Sequence, residues 1–408
     1  MQISAKKGVK LFRDFYIDMD IKPYFIPQTV KIPIGFVSDE IQYQKNIGDS
    51  VKKFEIIALI NNDIPVYSSV NGKILDFCTV SITNSFFDMI FVTIETDGSD
   101  TPTYPLWECK DTYTKEELLK IIKNAGIINE SLKGYFVDFI NLSTKYTKII
   151  IDSVDEQPYD LSKTGVFLDY KKEVLSGAKI LAKVFNIPRI ELLIMKNFRT
   201  MELFKNGLED IDIIEVKGKY PAEPEIVQYA HKNTALRVGT NCCRAVYRAA
   251  FFGEPQITSI VTVWGEGVKE PANYEILNGT LAKYLLEKCN AESELDKVVT
   301  GGLMNGCVAL PELPILRWNG TLTALPIKKH NSVSYCVNCG RCVNVCPMKL
   351  APFSILRSSN KKSEKIAMQL TAGMCVFCGV CSYICPSRQP LMEKIREYNK
   401  SLYRGREE

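Results

Sequence analysis

Two segments of this 408-residue chain, CVNCGRCVNVCP at 336–347 and CVFCGVCSYICP at 375–386, share the spacing C-x2-C-x2-C-x3-C-P. Nothing else in the sequence restricts the fold as strongly. Two-residue gaps let a tight loop bring three thiolates to one face of a cubane cluster, and the turn that follows carries the fourth thiolate away. The fourth cysteine of each run therefore reaches the cluster of the other run. The spacing assigns Cys336, Cys339, Cys342 and Cys385 to one [4Fe–4S] cluster, and Cys375, Cys378, Cys381 and Cys346 to a second. Gly340 and Gly379 stand between ligands, where backbone must come close to sulfur. Pro347 and Pro386 remove an N–H and set φ as the chain leaves each loop. Zinc sites use paired C-x2-C units with four thiolates per ion, a pattern these two identical runs do not follow.

Eight of the 14 cysteines lie in these runs; Cys78, Cys109, Cys242, Cys243, Cys289 and Cys307 are scattered. A disulfide framework belongs to small secreted domains, and nothing near the N-terminus reads as a secretory signal. The vicinal Cys242-Cys243 pair is read as buried apolar packing rather than as a redox pair. The net charge of +4 conceals an asymmetry, because residues 328–408 hold 14 Lys/Arg against 5 Asp/Glu. Anionic clusters offset part of that excess, and no nucleic-acid-binding module accompanies it. With 46% hydrophobic and 24% charged residues the composition is that of a folded globular protein. No apolar run reaches the length of a transmembrane segment, so the expectation is a cytoplasmic protein. His231 and His330 fall in no catalytic pattern, and no Ser-His-Asp or H-E-x-x-H arrangement is present.

Along the chain, residues 25–98 read as short strands, with turn signals at Gly48-Asp49 and a hairpin signal at Asn71-Gly72. Residues 115–250 alternate helix and strand: KEELLKIIKNAGI, TKIIIDSV, KKEVLSGAKILAKVF, RIELLIM, RTMELFKNGL and DIDIIEV. That order indicates a mainly parallel sheet, which binds ligands beyond the carboxyl ends of its strands. Strands return in ITSIVTVWGEGVKEP, before a helix in TLAKYLLEKCN.

The order of these segments resembles the RnfC-like family, the C subunits of Rnf electron-transport complexes, which is related to the flavoprotein subunit of respiratory complex I. The matches are GDSVKKFEIIA with SVNGKI, AGI at 125–127, DEQPY at 155–159, RVGTNCCRAVYRA at 237–249, VTVWGEGVKEP at 261–271 and both cysteine runs. The resemblance implies a multidomain α/β protein. It would have a β barrel-sandwich hybrid module at 1–110 and a Rossmann-like α/β domain at 111–253. A β-grasp, SLBB-like unit would follow at 254–325, and a ferredoxin-type domain with two clusters at 326–408. The hybrid fold is that of biotinyl and lipoyl carriers, but Asn61-Asn62-Asp63 stands where those present a modifiable lysine.

Relatives bind flavin with a glycine-rich loop after AGI, reading roughly G-x-G-G-A-G-F-P. Here the corresponding residues are Asn129-Glu130-Ser131-Leu132-Lys133-Gly134-Tyr135-Phe136, so beyond Gly126 only Gly134 survives. Such glycines let backbone N–H groups approach a phosphate, and Glu130 adds negative charge there. A second flavin-site segment, near N-G-A-E-C-E-P-Y in relatives, is Asp152-Ser153-Val154-Asp155-Glu156-Gln157-Pro158-Tyr159 here. The expectation is that neither FMN nor NADH binds with useful affinity. The resemblance then implies an electron-transfer component rather than an independent NADH dehydrogenase. Its two [4Fe–4S] clusters would relay electrons between a redox partner and a terminal reductase or an Rnf-type complex. Expected partners are a reductase, a ferredoxin, a flavoprotein or other members of such a complex, with peripheral association on the inner face of a membrane compatible with this. Relatives of this kind serve cobalamin reduction and amino-acid reductases such as proline reductase in anaerobes. The alternative is a flavin-dependent NADH oxidoreductase with altered loop chemistry.

Overall fold

The β-branched runs between residues 148 and 239 meet in one all-parallel sheet, with Gln2–Ala5 at its edge. The computed structural model describes residues 2–11, 18–81, 88–101, 106–196, 208, 211–327, 332–358 and 372–404. Within it, Gln2–Ala5, Asp212–Gly218, Ile190–Met195, Lys148–Ser153 and Ala235–Gly239 pair in that spatial order. All six residues of Lys148–Ser153 are buried, as a central parallel strand covered on both faces requires. The helix expected from RTMELFKNGL lies outside the described residues apart from Leu208.

Helices cover the sheet. Lys115–Asn124 opens with a capping box in which Thr114 and Glu117 satisfy each other's backbone N–H groups. Lys171–Phe185 ends on Asn186 at φ +54°, and Thr240–Phe252 ends on Gly253 at φ +65°, both left-handed caps. These last two helices pack against each other over Val174, Ala178 and Val246 in the main core.

Residues 29–96 form two small antiparallel sheets. One pairs Thr29–Phe36, Met89–Thr96, Gly72–Val80 and Ser50–Val51, and the other pairs Ile41–Tyr43, Ile56–Ile60 and Ile64–Tyr67. They enclose a common core that includes Ile32, Ile57, Ile74 and Ile94. The tight hairpin falls at Asn61 and Asn62, both at positive φ, between Ile60 and its partner Ile64. Asn71-Gly72 makes no hairpin, because the strands on either side of it belong to different sheets. Asn71 instead accepts from the Lys53 N–H and donates to Ser99, and Gly72 sits where a Cβ would meet the Glu95 carbonyl at 2.0 Å.

A six-stranded mixed sheet follows in the order Cys307–Val308, Leu295–Thr300, Thr321–Pro326, Thr258–Trp264, Ala272–Leu277 and Asp18–Lys22, with helix Ala282–Lys288 against it. The two strands described within the first 22 residues thus lie outside the small β sheets. Gln2–Ala5 edges the parallel sheet and Asp18–Lys22 edges the mixed one, each supplying backbone partners to an otherwise open strand. No helix among the described residues is long and apolar enough to cross a membrane.

Candidate iron–sulfur centres and the adjoining cavity

The two cysteine runs take the same backbone path. Asn338 and Phe377 have φ of +53° and +48°, Gly340 and Gly379 +69° and +78°, and Lys349 and Arg388 +57° and +54°. Short helices Arg341–Val345 and Val380–Ile384 follow the glycines and lie against each other. Each run's fourth thiol lies beside the other run. Cys385 lines one cavity of about 170 Å³ together with Cys336, Cys339 and Cys342. Cys346 is buried beside Cys375 in a cluster with Leu350, Ile355 and Ile395. Burial first, and then the charges of Cys375 and Cys346, push the Cys378 thiol up to about 12. Cys381 is raised to about 12 by burial and by the same neighbours together with Cys378. Thiols that would repel one another when ionised are a set that a cationic iron core can hold as thiolates. Among the described residues no three Cys, His, Asp or Glu side chains converge tightly enough for a single metal ion.

The two sets face different surroundings. A Cβ at Gly340 would meet open space, and Tyr335 and Val337 beside it are 95% and 64% exposed. Gly379 is pressed against the Met304 carbonyl, where a Cβ would come within 1.8 Å. Tyr220 donates its hydroxyl proton to the Cys378 carbonyl at 2.9 Å. Gln157 donates to the Tyr220 oxygen at 2.8 Å and accepts from the Met304 N–H at 3.1 Å. An amide does both; a carboxylate at 157 could only accept. The second run is therefore docked inward and the first looks outward.

A cavity of about 360 Å³ lies at the carboxyl edge of the parallel sheet, and Cys378 forms part of its wall. Its floor is the buried Asp152, which accepts from Arg237 at 2.6 and 3.0 Å and from Lys163 at 3.2 Å. Burial would raise the Asp152 carboxyl, but Arg237 and Lys163 override it and hold the group well below the usual carboxylate range. Arg237 also clasps Glu223 through two bonds of 2.6 and 2.7 Å. Glu130, Ser131, Leu132 and Lys133 form one wall.

The two glycines singled out in the sequence do not line this cavity. Gly126 follows a helix at φ +58°, and its carbonyl accepts from Arg317 at 2.8 Å. Gly134 closes the small hairpin Ile128–Asn129 with Gly134–Tyr135. Lys163, Tyr220, Arg237 and Arg317, which do shape the cavity, escaped sequence reading. The one available signal was Arg237 at the head of the matching segment 237–249. Cys242 and Cys243 are fully buried in the helix, with thiols raised by burial and by Glu130, as packing residues would be.

The family model for a 4Fe-4S dicluster domain matches residues 335–388, so the chain carries an iron–sulfur domain of that type. Similar curated proteins are the C subunits of larger complexes. That of the proton-translocating ferredoxin:NAD(+) oxidoreductase of Clostridium ljungdahlii is 27% identical, over 80% of this chain and 78% of that protein. That of the Na(+)-translocating ferredoxin:NAD(+) oxidoreductase of Acetobacterium woodii is 25% identical, over 83% and 86%. That of the ion-translocating oxidoreductase of Rhodobacter capsulatus is 24% identical, over 83% and 71%. Among solved structures, a polypeptide of an air-oxidised NAD+-reducing [NiFe]-hydrogenase matches with a TM-score of 0.45 and 12% identity, over 68% of this chain and 62% of that one.

Proposed function

Since the chain is RnfC-like over most of its length, we propose that it is an iron–sulfur electron-transfer protein of that type. It works beside redox partners in a complex or with a terminal reductase. Two [4Fe–4S] clusters are held in crossed sets, Cys336, Cys339, Cys342 with Cys385, and Cys375, Cys378, Cys381 with Cys346. Such clusters supply one-electron exchange without moving atoms. The observation that carries the reading is Cys385 lining the cavity of the first run, 43 residues beyond Cys342 in sequence.

The chain's own residues supply support and access. Tyr220 and Gln157 fasten the second run to the parallel sheet, and the exposed Tyr335 and Val337 leave the first run open to a partner. The proposed units follow the expected bounds except at the N-terminal side, where residues 2–5 pair into the α/β domain and 18–22 into the β-grasp unit instead of the module expected at 1–110. Neither FMN nor NADH is proposed as a cofactor. In the 129–134 turn, side chains occupy positions where a phosphate needs bare backbone.

Electron paramagnetic resonance tests the crossing. Cys346→Ala should abolish the signal of the cluster held by Cys375, Cys378 and Cys381 and spare the other; Cys339→Ala should do the reverse. If both variants lost the same cluster, the ligand sets would be wrong.

A further inference from the structure

Helix Thr240–Phe252 starts at the carboxyl edge of the parallel sheet, on the cavity wall. Its first N–H groups have no partner within the helix, and the helix dipole makes that end an anion seat. A carboxyl group already fills it. Glu130 accepts from the Asn241 N–H through Oε1 at 2.7 Å and from the Cys242 N–H through Oε2 at 3.1 Å. Both carboxylate oxygens are used, as two oxygens of a phosphate would be.

The surroundings are fitted to that carboxylate. Gly239, just before the helix, has an ordinary φ of −70°, so its conformation does not require glycine. The glycine is instead matched to Glu130: a Cβ there would fall 2.2 Å from Glu130 Cδ, so the carboxylate can sit this close only because residue 239 carries no side chain. The turn that presents Glu130 is anchored by the buried Asn129. Its amide donates to the Arg237 carbonyl at 3.0 Å, and its oxygen accepts from the N–H groups of Gly239 and Ser131. Independently, helix Glu223–Lys232 also opens onto this cavity, and Glu156 accepts there from the Ala222 and Glu223 N–H groups at 2.7 and 3.1 Å. Two helix ends that could each take a ligand's phosphate are both closed by side chains of the same protein.

We propose that Glu130 is a built-in substitute for a ligand phosphate and the residue that sets the cavity's specificity: its carboxylate fills the anion seat of helix Thr240–Phe252, so phosphate-bearing ligands are excluded by occupancy. This rests on the relay reading and gives its cause a single address. Removing the carboxylate, with no other change to the loop, uncovers a phosphate site.

The test uses the full-length protein with its clusters loaded under anaerobic conditions. Thermal unfolding is followed against added inorganic phosphate, with chloride matched for ionic strength. Wild type should show no saturable response. E130A should show a saturable rise in midpoint as phosphate is added, where wild type shows none. E130Q still fills the seat but keeps only one acceptor oxygen and sets an NH2 against the second N–H donor, so it should lower the midpoint yet show no saturable phosphate response. E130S, leaving room beside a small hydroxyl, carries the same expectation as alanine should E130A fail to load iron. A saturable phosphate response in wild type, or none in a cluster-loaded alanine or serine variant, overturns the assignment. FMN titration of wild type separates the two readings. Tight FMN binding there would sink the relay itself, whereas an FMN-blind wild type with a phosphate-blind E130A sinks only the role of Glu130.

Discussion

Glu156 shows how burial and charge tune single groups at the cavity. Burial first, and then the neighbouring Glu223 carboxylate, raise its carboxyl from 4.5 to about 7. The folded protein therefore binds this proton more tightly than the unfolded chain does. Its contribution to stability is full below pH 4.5 and is lost as pH rises through about 7. Asp155, raised to about 7 by burial and by Asp160, loses stability in the same window. Glu156→Gln keeps an oxygen for the Ala222 and Glu223 N–H groups and removes one titration. The fall in unfolding free energy between pH 5.5 and 7.5 should become shallower without vanishing, by on the order of 1 kcal/mol per pH unit. An unchanged slope would show that Glu156 does not titrate there. Asp152 works in the opposite sense and stays ionised throughout this range, pinned by Arg237 and Lys163.

Between elements, a tight approach in the α/β core is that of helices Lys171–Phe185 and Thr240–Phe252. At Gly177 a Cβ would fall 1.9 Å from the Cys243 carbonyl oxygen, a backbone atom that cannot swing aside. Small residues at the crossing, Gly177 and Ala178, let the helices meet at this distance, and the buried Cys242 and Cys243 fill the space behind. Gly177→Ala should destabilise by about 1–3 kcal/mol despite alanine's better helix propensity, because the helices must separate. Chemical denaturation with the clusters intact measures it. A stabilised variant would mean that the helices sit further apart than described. Separation would also move the start of Thr240–Phe252, and with it the seat that Glu130 occupies.

At the scale of the molecule, the two cysteine sets lie between a cavity and solvent. Cys378 faces the cavity at the sheet edge, whereas Cys339 lies exposed near Tyr335 and Val337. Two cubanes require ~8 iron and ~8 acid-labile sulfide per chain after anaerobic reconstitution, by the stoichiometry of the doubled motif. Two zinc and no sulfide would refute the cluster reading. The same preparation should lack a flavin absorbance band, and calorimetric titration with FMN or NADH should give no heat of tight binding. A low-micromolar dissociation constant for either would favour an NADH-linked oxidoreductase.

The local patterns in the sequence were sufficient where one residue's neighbours along the chain decide its state. The spacing of Cys336 to Cys346 and of Cys375 to Cys385 specifies loop, glycine and exit turn without outside help. The period of 171–185 likewise marks a helix whose observed bounds are Lys171–Phe185. Asn71-Gly72 failed as a hairpin signal because the turn it favours was overridden by two sheets competing for the strands beside it. Gln2–Ala5 gave no sign that its partner would be Asp212–Gly218, over 200 residues away, since a parallel pairing leaves no turn in the sequence to read. Glu130 carried the largest change of meaning. By position it was a charge repelling a phosphate; in three dimensions it occupies the phosphate's place, bonded to Asn241 and Cys242. A carboxylate's effect depends on which backbone donors the fold brings to it, and those donors lie more than 100 residues further along the chain.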